Sequence, residues 1–390
     1  MQSRSRTRPF WLSAGSRSEV DAAVVGGGMT GVAIAYFLAL LGYTVRVFEE
    51  RGSFALGASG RNGGHLSPGP LEISGADHER AREVLRFEHQ TVRQIQEFVD
   101  QEGIRCDLRF GGHVRLAGSE EEFEALKGSA QLLQEEGYPV ELWGAEEVER
   151  KLKSYPGVFA GGLFNPAGAQ WNPAAFTYAL AERAEEAGAV FHFRTRVLRV
   201  EQAQSGFHVM TSAGVFPAKR VVYANNAWAG RLGVERITPV RGQALVTEPA
   251  PSMWDFGAST VPGAAAYWLQ LPNGKIVLGG LRSLSPSKEV GEFNEEQLHP
   301  AVSAGLRSFL RHHFPALQDL QIEAEWTGIM GFSPDGNPLV GELQPGVWIL
   351  GGYSGHGMPV ILSAAEALAA LIAGKEPQIP IPQAYRPDRF

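Results

Sequence analysis

Four consecutive apolar residues, Ala22, Ala23, Val24 and Val25, open the patterned part of the chain. A short run of this kind predicts a strand buried on both faces of a parallel sheet. Val32, Ala35, Tyr36, Ala39 and Leu40 then recur at three-four spacing, which predicts a helix with one apolar face. Alternation returns at Val45 and Val47, so a second strand is expected to end at Glu49 and Glu50. Charge-rich helical patterns over about 77–102 and 119–136 predict two long helices with solvated charged faces, joined by a strand in GGHVRLA (111–117). Farther on, Asn172 is placed to cap a helix that Pro173 begins and Gly188 ends. PVRGQALVT, AAAYWLQL and KIVLGGLR alternate like antiparallel strands, and LPNGK reads as a hairpin turn. The last strong pattern is an apolar helix over about 359–373, with Val360, Ala364, Leu368 and Leu371 on one side.

Glycine punctuates both ends of this pattern. After the first strand, Gly26, Gly28 and Gly31, with Met29 and Thr30 between them, satisfy G-x-G-x-x-G. The first glycine permits a tight turn, the second lets a pyrophosphate touch backbone, and the third lets helix pack on strand. The helix start offers unpaired N–H groups and partial positive charge to phosphates. An acid about twenty residues on suits ribose hydroxyls, and Glu49, which continues the Val45–Val47 alternation, is favoured over Glu50. Strand, glycines, helix, strand and acid together specify a dinucleotide site. A Gly/Ser loop, FALGASGRNGGHLSPGP, follows where regular βα repeats would continue in many nicotinamide enzymes, and long loops in compact domains are usually functional. Near the other end, GGYSGHGMP repeats the device of glycines leading into a helix.

Composition narrows the class. At 390 residues two domains are expected, and 44% hydrophobic with 20% charged residues is globular. A net charge of −7 argues against a nucleic-acid or anionic-membrane partner, and no apolar run is long enough to span a membrane. Cys106 stands alone, so no intramolecular disulfide forms, and a reducing, cytoplasmic location is expected. The first eighteen residues carry arginine and serine without acid, a composition that also suits an organelle-targeting segment. No metal site is expected.

The motifs resemble the D-amino-acid oxidase superfamily of FAD enzymes, which includes glycine oxidase, sarcosine oxidase and gamma-glutamylputrescine oxidase. ASGRNGG (58–64), with Ser59, Gly60, Arg61, Asn62, Gly63 and Gly64, resembles the flavin-contacting loop of the gamma-glutamylputrescine oxidase branch. WNPAAFTYALAERAEEAGAVFHFRTRVLRV, RVVYANNAWA, DGNPLVGE and GGYSGHGMP resemble the family's middle and closing segments, so the matches run from about 21 to 374. The resemblance implies an α/β fold: a Rossmann-like FAD-binding domain of the glutathione-reductase type with an antiparallel-sheet substrate domain. The expected boundaries are 1–19 for an N-terminal tail, 20–84, 160–232 and 326–374 for the discontinuous FAD domain, 85–159 and 233–325 for the substrate domain, and 375–390 for a C-terminal tail.

The resemblance also implies one extended, non-covalent FAD held at its pyrophosphate by the first glycine turn and at its isoalloxazine by the last. Val197, Asn225, Trp228, Gly352, Gly355, His356, Gly357 and Met358 join the expected cofactor residues. The implied reaction is oxidation of a C–N bond in an amine or amino acid, with O2 or another acceptor taking the electrons. His356, Tyr267, Met330 and Arg241 are the expected catalytic or substrate residues. Tyr267 and Trp268 alternate, so only one of them can join an aromatic cage with Phe332 and Tyr353.

Four positions depart from the relatives, one of them Pro359, which stands where sarcosine oxidase has a carboxylate-binding lysine two places after GHG. Met330 occupies the place of the arginine that grips the substrate carboxylate in glycine oxidase, which leaves Arg61, Arg241 and Arg282 as candidate cations. Val277 falls nearest the slot of sarcosine oxidase's oxygen-activating lysine, and Lys275 lies beside it. Gly328 aligns with that enzyme's covalent cysteine. A hydroxylase, a dehydrogenase, or a flavin-binding protein without turnover are the alternatives.

Overall fold

A computed structural model describes residues 18–69, 78–261 and 265–390. The first seventeen residues, on which the targeting expectation falls, lie outside the described residues.

The first strand, Ala22–Val25, is buried at every position and lies in the middle of a six-stranded sheet. It pairs in parallel with Val45–Phe48 on one side and Val221–Tyr223 on the other. Val190–His192 and Val347–Gly351 extend the parallel set, and Leu339–Gln344 closes one edge antiparallel. The helix Met29–Leu40 crosses this sheet between helices Pro173–Glu186 and Ile361–Ile372. It is therefore buried on nearly all sides rather than on one face, and Leu40, expected on the apolar face, is 58% exposed. Asn172 caps Pro173–Glu186 as expected, its Oδ1 accepting from Ala175 N–H at 3.0 Å.

An eight-stranded mixed sheet forms the second layer system, in the order Ile322–Phe332, Thr238–Pro249, Lys275–Gly280, Ala266–Gln270, Gly257–Thr260, His113–Ala117, Gly161–Asn165, Glu141–Gly144. Its neighbours are antiparallel except Gly257–Thr260 beside His113–Ala117. Trp268, Trp254, Phe309 and Phe314 pack one face of it against helix Pro300–His313. The expected α/β class, with a parallel nucleotide-type sheet and a largely antiparallel second sheet, is the architecture found.

Three stretches lie across the boundaries expected from the sequence. Gly161–Asn165 and Ile322–Phe332 are strands of the eight-stranded sheet. Helix His78–Glu102 buries Phe87, Val92, Ile95 and Val99 in the same core as Met29–Leu40 and Ile361–Ile372. Residues 375–390 are a packed segment rather than a loose tail: Tyr385 is 1% exposed, and Arg389 pairs with Asp335 at 2.8 Å.

Candidate active site

The two glycine-rich turns meet. Thr30, in the first turn of the first helix, and Tyr353, in the closing glycine segment, share a buried hydroxyl–hydroxyl hydrogen bond of 2.8 Å across 323 residues of sequence. Both residues line one cleft of about 500 Å³ between the sheet systems. Desolvation pushes the Tyr353 phenol far above its ordinary value, so it stays neutral.

At the first turn the glycines are sterically required. Gly26 has φ +110°, and a Cβ there would sit 2.9 Å from the Ala224 carbonyl oxygen. A Cβ on Gly31 would lie 1.8 Å from the Gly26 carbonyl oxygen, so only hydrogen lets the helix seat on the turn. Glu49 accepts from Gly27 N–H at 2.6 Å and from Arg51 N–H at 2.8 Å, which places its carboxylate at the rim of the turn. Glu50 also borders the cleft but pairs outward with Arg196 at 2.8 Å. The 58–64 loop contains one helical turn, Ala58–Arg61. Ser59 Oγ accepts from Met29 N–H at 2.9 Å, completing the start of a helix whose own cap residue, Gly28, has no side chain. Asn62 ties the loop together, donating to Ala58 and Ser59 carbonyls and accepting from Gly64 N–H.

Of the sequence-predicted cofactor residues, Gly26, Gly28, Thr30, Glu49, Glu50, Ser59, Arg61, Asn62, Gly63, Val197, Asn225, Trp228, Gly355, His356, Gly357 and Met358 line the cleft. Met29, Gly31, Gly60, Gly64 and Gly352 stand behind it and shape its backbone. Asn225 Oδ1 and Gln243 Nε2 are buried without a hydrogen bond within the chain although both residues border the cleft. Unpaired buried polar atoms along a glycine-lined cleft suit a long polar cofactor that supplies their partners. The turn before Met29–Leu40 suits a pyrophosphate, and the start of Ile361–Ile372 points its dipole at the other end.

Residues outside the glycine turns also line the cleft, and the part they border is the candidate substrate chamber. Met330, Tyr267 and His356 line it, as expected from the sequence, together with His65, His113, Arg115, Ser259, Asn165 and Leu163. Tyr267 lies against Gly63 and Gly279: a Cβ at either would be within 2.5 Å of its ring. Its neighbour Trp268 points the other way into the second core. Phe332 is absent from the lining and instead carries the Arg282 guanidinium 4.8 Å from its ring centroid.

Arg241 is also absent from the lining. Its guanidinium is 7% exposed, held by Glu289 at 2.5 Å and the Asn294 carbonyl at 2.9 Å, so its charge is compensated away from the cleft. Arg61 lines the cleft but donates to the Thr327 and Leu56 carbonyls. Lys275 pairs with Glu323 outside the cleft.

The sequence reading missed His113 and Arg115. Val114 and Leu116 enter the second core, and alternation turns His113 and Arg115 to the opposite face, toward the chamber. That polar alternation within GGHVRLA was the available signal. His65 and His113 meet edge to face with ring centroids 5.2 Å apart. Burial pushes His65 down to about 4, and burial with the positive charge of nearby groups pushes His113 well below the ordinary histidine value. Both are therefore neutral near pH 7. His113 Nε2 meets Ser259 Oγ at 2.9 Å, while its Nδ1 and both ring nitrogens of His65 have no hydrogen bond within the chain.

The sequence pattern of the family described as DAO, FAD dependent oxidoreductase, matches residues 21–371. The chain belongs to this family. It is 28% identical to a glycine oxidase of Geobacillus kaustophilus (strain HTA426), over 91% of this chain and 93% of that one. It is 26% identical to a D-amino acid dehydrogenase of Bradyrhizobium diazoefficiens (strain JCM 10833 / BCRC 13528 / IAM 13628 / NBRC 14792 / USDA 110), over 94% and 98%. The crystal structure of glycine oxidase from Geobacillus kaustophilus superposes with a TM-score of 0.83 at 24% identity, covering 95% of this chain and 99% of that one. The protein is an FAD-dependent oxidoreductase, as the glycine motifs implied. No helix among the described residues is long and apolar enough to cross a membrane.

Proposed function

We propose that the protein oxidises the carbon–nitrogen bond of a small amine that also carries a carboxylate. The observation that carries this reading is one cleft lined both by the glycine turns and by Met330, Tyr267 and His356. When bound, FAD would supply the two-electron acceptor for oxidation of the carbon–nitrogen bond to an imine, which water hydrolyses. The chain would hold that cofactor with Gly26, Gly28, Ser59 and Glu49 at one end and with 355–358 at the other.

The chain's own side chains bind and orient the substrate. Arg115 and Met330 both border the cleft, and Met330 cannot pair with a carboxylate. His65 and His113 add neutral polar groups. Tyr267, with its phenol pushed up to about 12 by burial, stays neutral and walls one side. The glycine oxidase and D-amino acid dehydrogenase relatives support an amino-acid substrate by their names. A single buried cysteine supports a cytoplasmic setting.

The test is anaerobic bleaching of the visible flavin band by amino acids and by their carboxamides. Amino acids should bleach it at lower concentration than the amides. Bleaching by NADPH alone would make the protein a hydroxylase, and bleaching by nothing in the panel would reduce it to a flavin binder. Peroxide formation on readmitting air separates oxidase from dehydrogenase.

A further inference from the structure

Glu88 sits on helix His78–Glu102, is 2% exposed, and does not line the cleft. Three donors converge on its carboxyl group from three distant parts of the chain. Tyr385 O–H donates to Oε1 at 2.9 Å from the C-terminal segment. Gly69 N–H donates to Oε2 at 2.7 Å from the end of the flavin loop. His356 Nε2 approaches Oε2 at 3.2 Å from the closing glycine turn. Burial, then the negative charge of Glu88, holds the Tyr385 phenol well above its ordinary value, so Tyr385 remains a donor.

An ionised carboxylate only accepts hydrogen bonds. With Glu88 as the acceptor, its contact with His356 calls for the imidazole proton on Nε2, and a neutral ring then carries its lone pair on Nδ1. No hydrogen bond joins Nδ1 to the chain among the described residues, and His356 itself borders the chamber.

We infer that Glu88 is a positioning residue that locks His356 in the Nε2–H tautomer, so that Nδ1 takes the proton from a substrate ammonium group, with Tyr385 holding Glu88 in place. The inference rests on the amine-oxidising reading. In the step, one substrate N–H bond breaks and its electron pair stays on nitrogen. The proton forms a new bond to His356 Nδ1, leaving an amine able to lose hydride from the adjacent carbon. A buried carboxylate that both orients an imidazole and stabilises its protonated form is a recurring arrangement for a proton acceptor.

Other charged groups around the pair are few and identifiable. On the same helix, His89 donates to or accepts from neighbours through Nδ1 to the Leu85 carbonyl and Nε2 to Asn165, and Arg93 acts on it electrostatically. From the facing strand, His113 feels the charges of His356, Arg115 and His65. From the C-terminal segment, Arg389 acts on Tyr385. His65, His89 and His113 are all held toward the neutral form, and among the described residues Glu88 is the negative partner of His356.

The test has two independent readings on the flavin-loaded protein. Nitrogen NMR with 15N-histidine, the signal assigned by its loss in His356→Asn, should show Nε2 protonated and Nδ1 bare at neutral pH. An Nδ1–H tautomer overturns the inference. Stopped-flow bleaching by a productive amino acid should show an acidic limb that moves down by about one pH unit or more in Glu88→Gln, because the ring loses its negative partner. Tyr385→Phe should move it the same way by less. An unmoved limb in Glu88→Gln with undiminished flavin content overturns the inference. Should Glu88→Gln fail to retain flavin, the wild-type tautomer and Tyr385→Phe decide. Absence of bleaching by any amine defeats the amine-oxidising reading alone, since the tautomer is still read directly.

Discussion

His65 and His113 show how a residue's environment, not its type, sets its chemistry. The two imidazoles are enclosed beside each other, His65 also beside Tyr267, so a proton on either would be a charge without solvent. The unfolded chain imposes no such restriction. Between about pH 6.5 and pH 4 the unfolded state then binds more protons than the folded one, and stability falls as pH falls through that window. For His65 alone the loss is on the order of 3 kcal/mol by pH 4. Urea unfolding of the flavin-loaded protein at pH 7.5, 5.5 and 4.5 should show this slope, and His65→Asn should flatten it. An equal slope in that variant would assign the acid sensitivity elsewhere. Cys106 gives the opposite lesson: buried, with its thiol pushed up to about 11, it is a packing residue with little thiolate.

Among the elements, the two glycine turns depend on each other. The helix Met29–Leu40 and the helix Ile361–Ile372 pack together, and the Thr30–Tyr353 hydrogen bond joins their leading ends. Removing either hydroxyl leaves the other buried and unpaired, which costs about 1–3 kcal/mol. Thr30→Val and Tyr353→Phe should each lower stability and weaken flavin retention. The double variant should lose less than the sum of the two, a coupling that thermal melts in a double-mutant cycle would measure. Additive losses would show that the turns are held together by packing alone. The strands and capped helices were legible from period, glycine and proline, because those signals are local. The burial of Met29–Leu40 was not, since helices from far later in the sequence return to cover it.

For the whole molecule, the C-terminal segment is the unexpected structural part. Tyr385 reaches Glu88, Arg389 braces the 335–338 turn, and Arg236 donates to the Pro387 carbonyl at 2.6 Å. Ending the chain at residue 381 should lower the melting temperature by several degrees and release flavin more readily on dilution, read by fluorescence; an unchanged melt would make the segment dispensable. Its sequence, rich in proline and polar residues, carries no period from which such docking can be read. The sequence by itself determined the cofactor class, because close backbone approach to a dinucleotide demands glycine at set spacings and an acid beyond the second strand. It also determined the two-sheet architecture, through the switch from helical to alternating patterns. Only the tertiary structure decided which polar side chains share the chamber: it brought Arg115 and His113 in, left Arg241 with Glu289, and set Glu88 behind His356. Those pairings join residues far apart in sequence, where neither spacing nor composition records who faces whom.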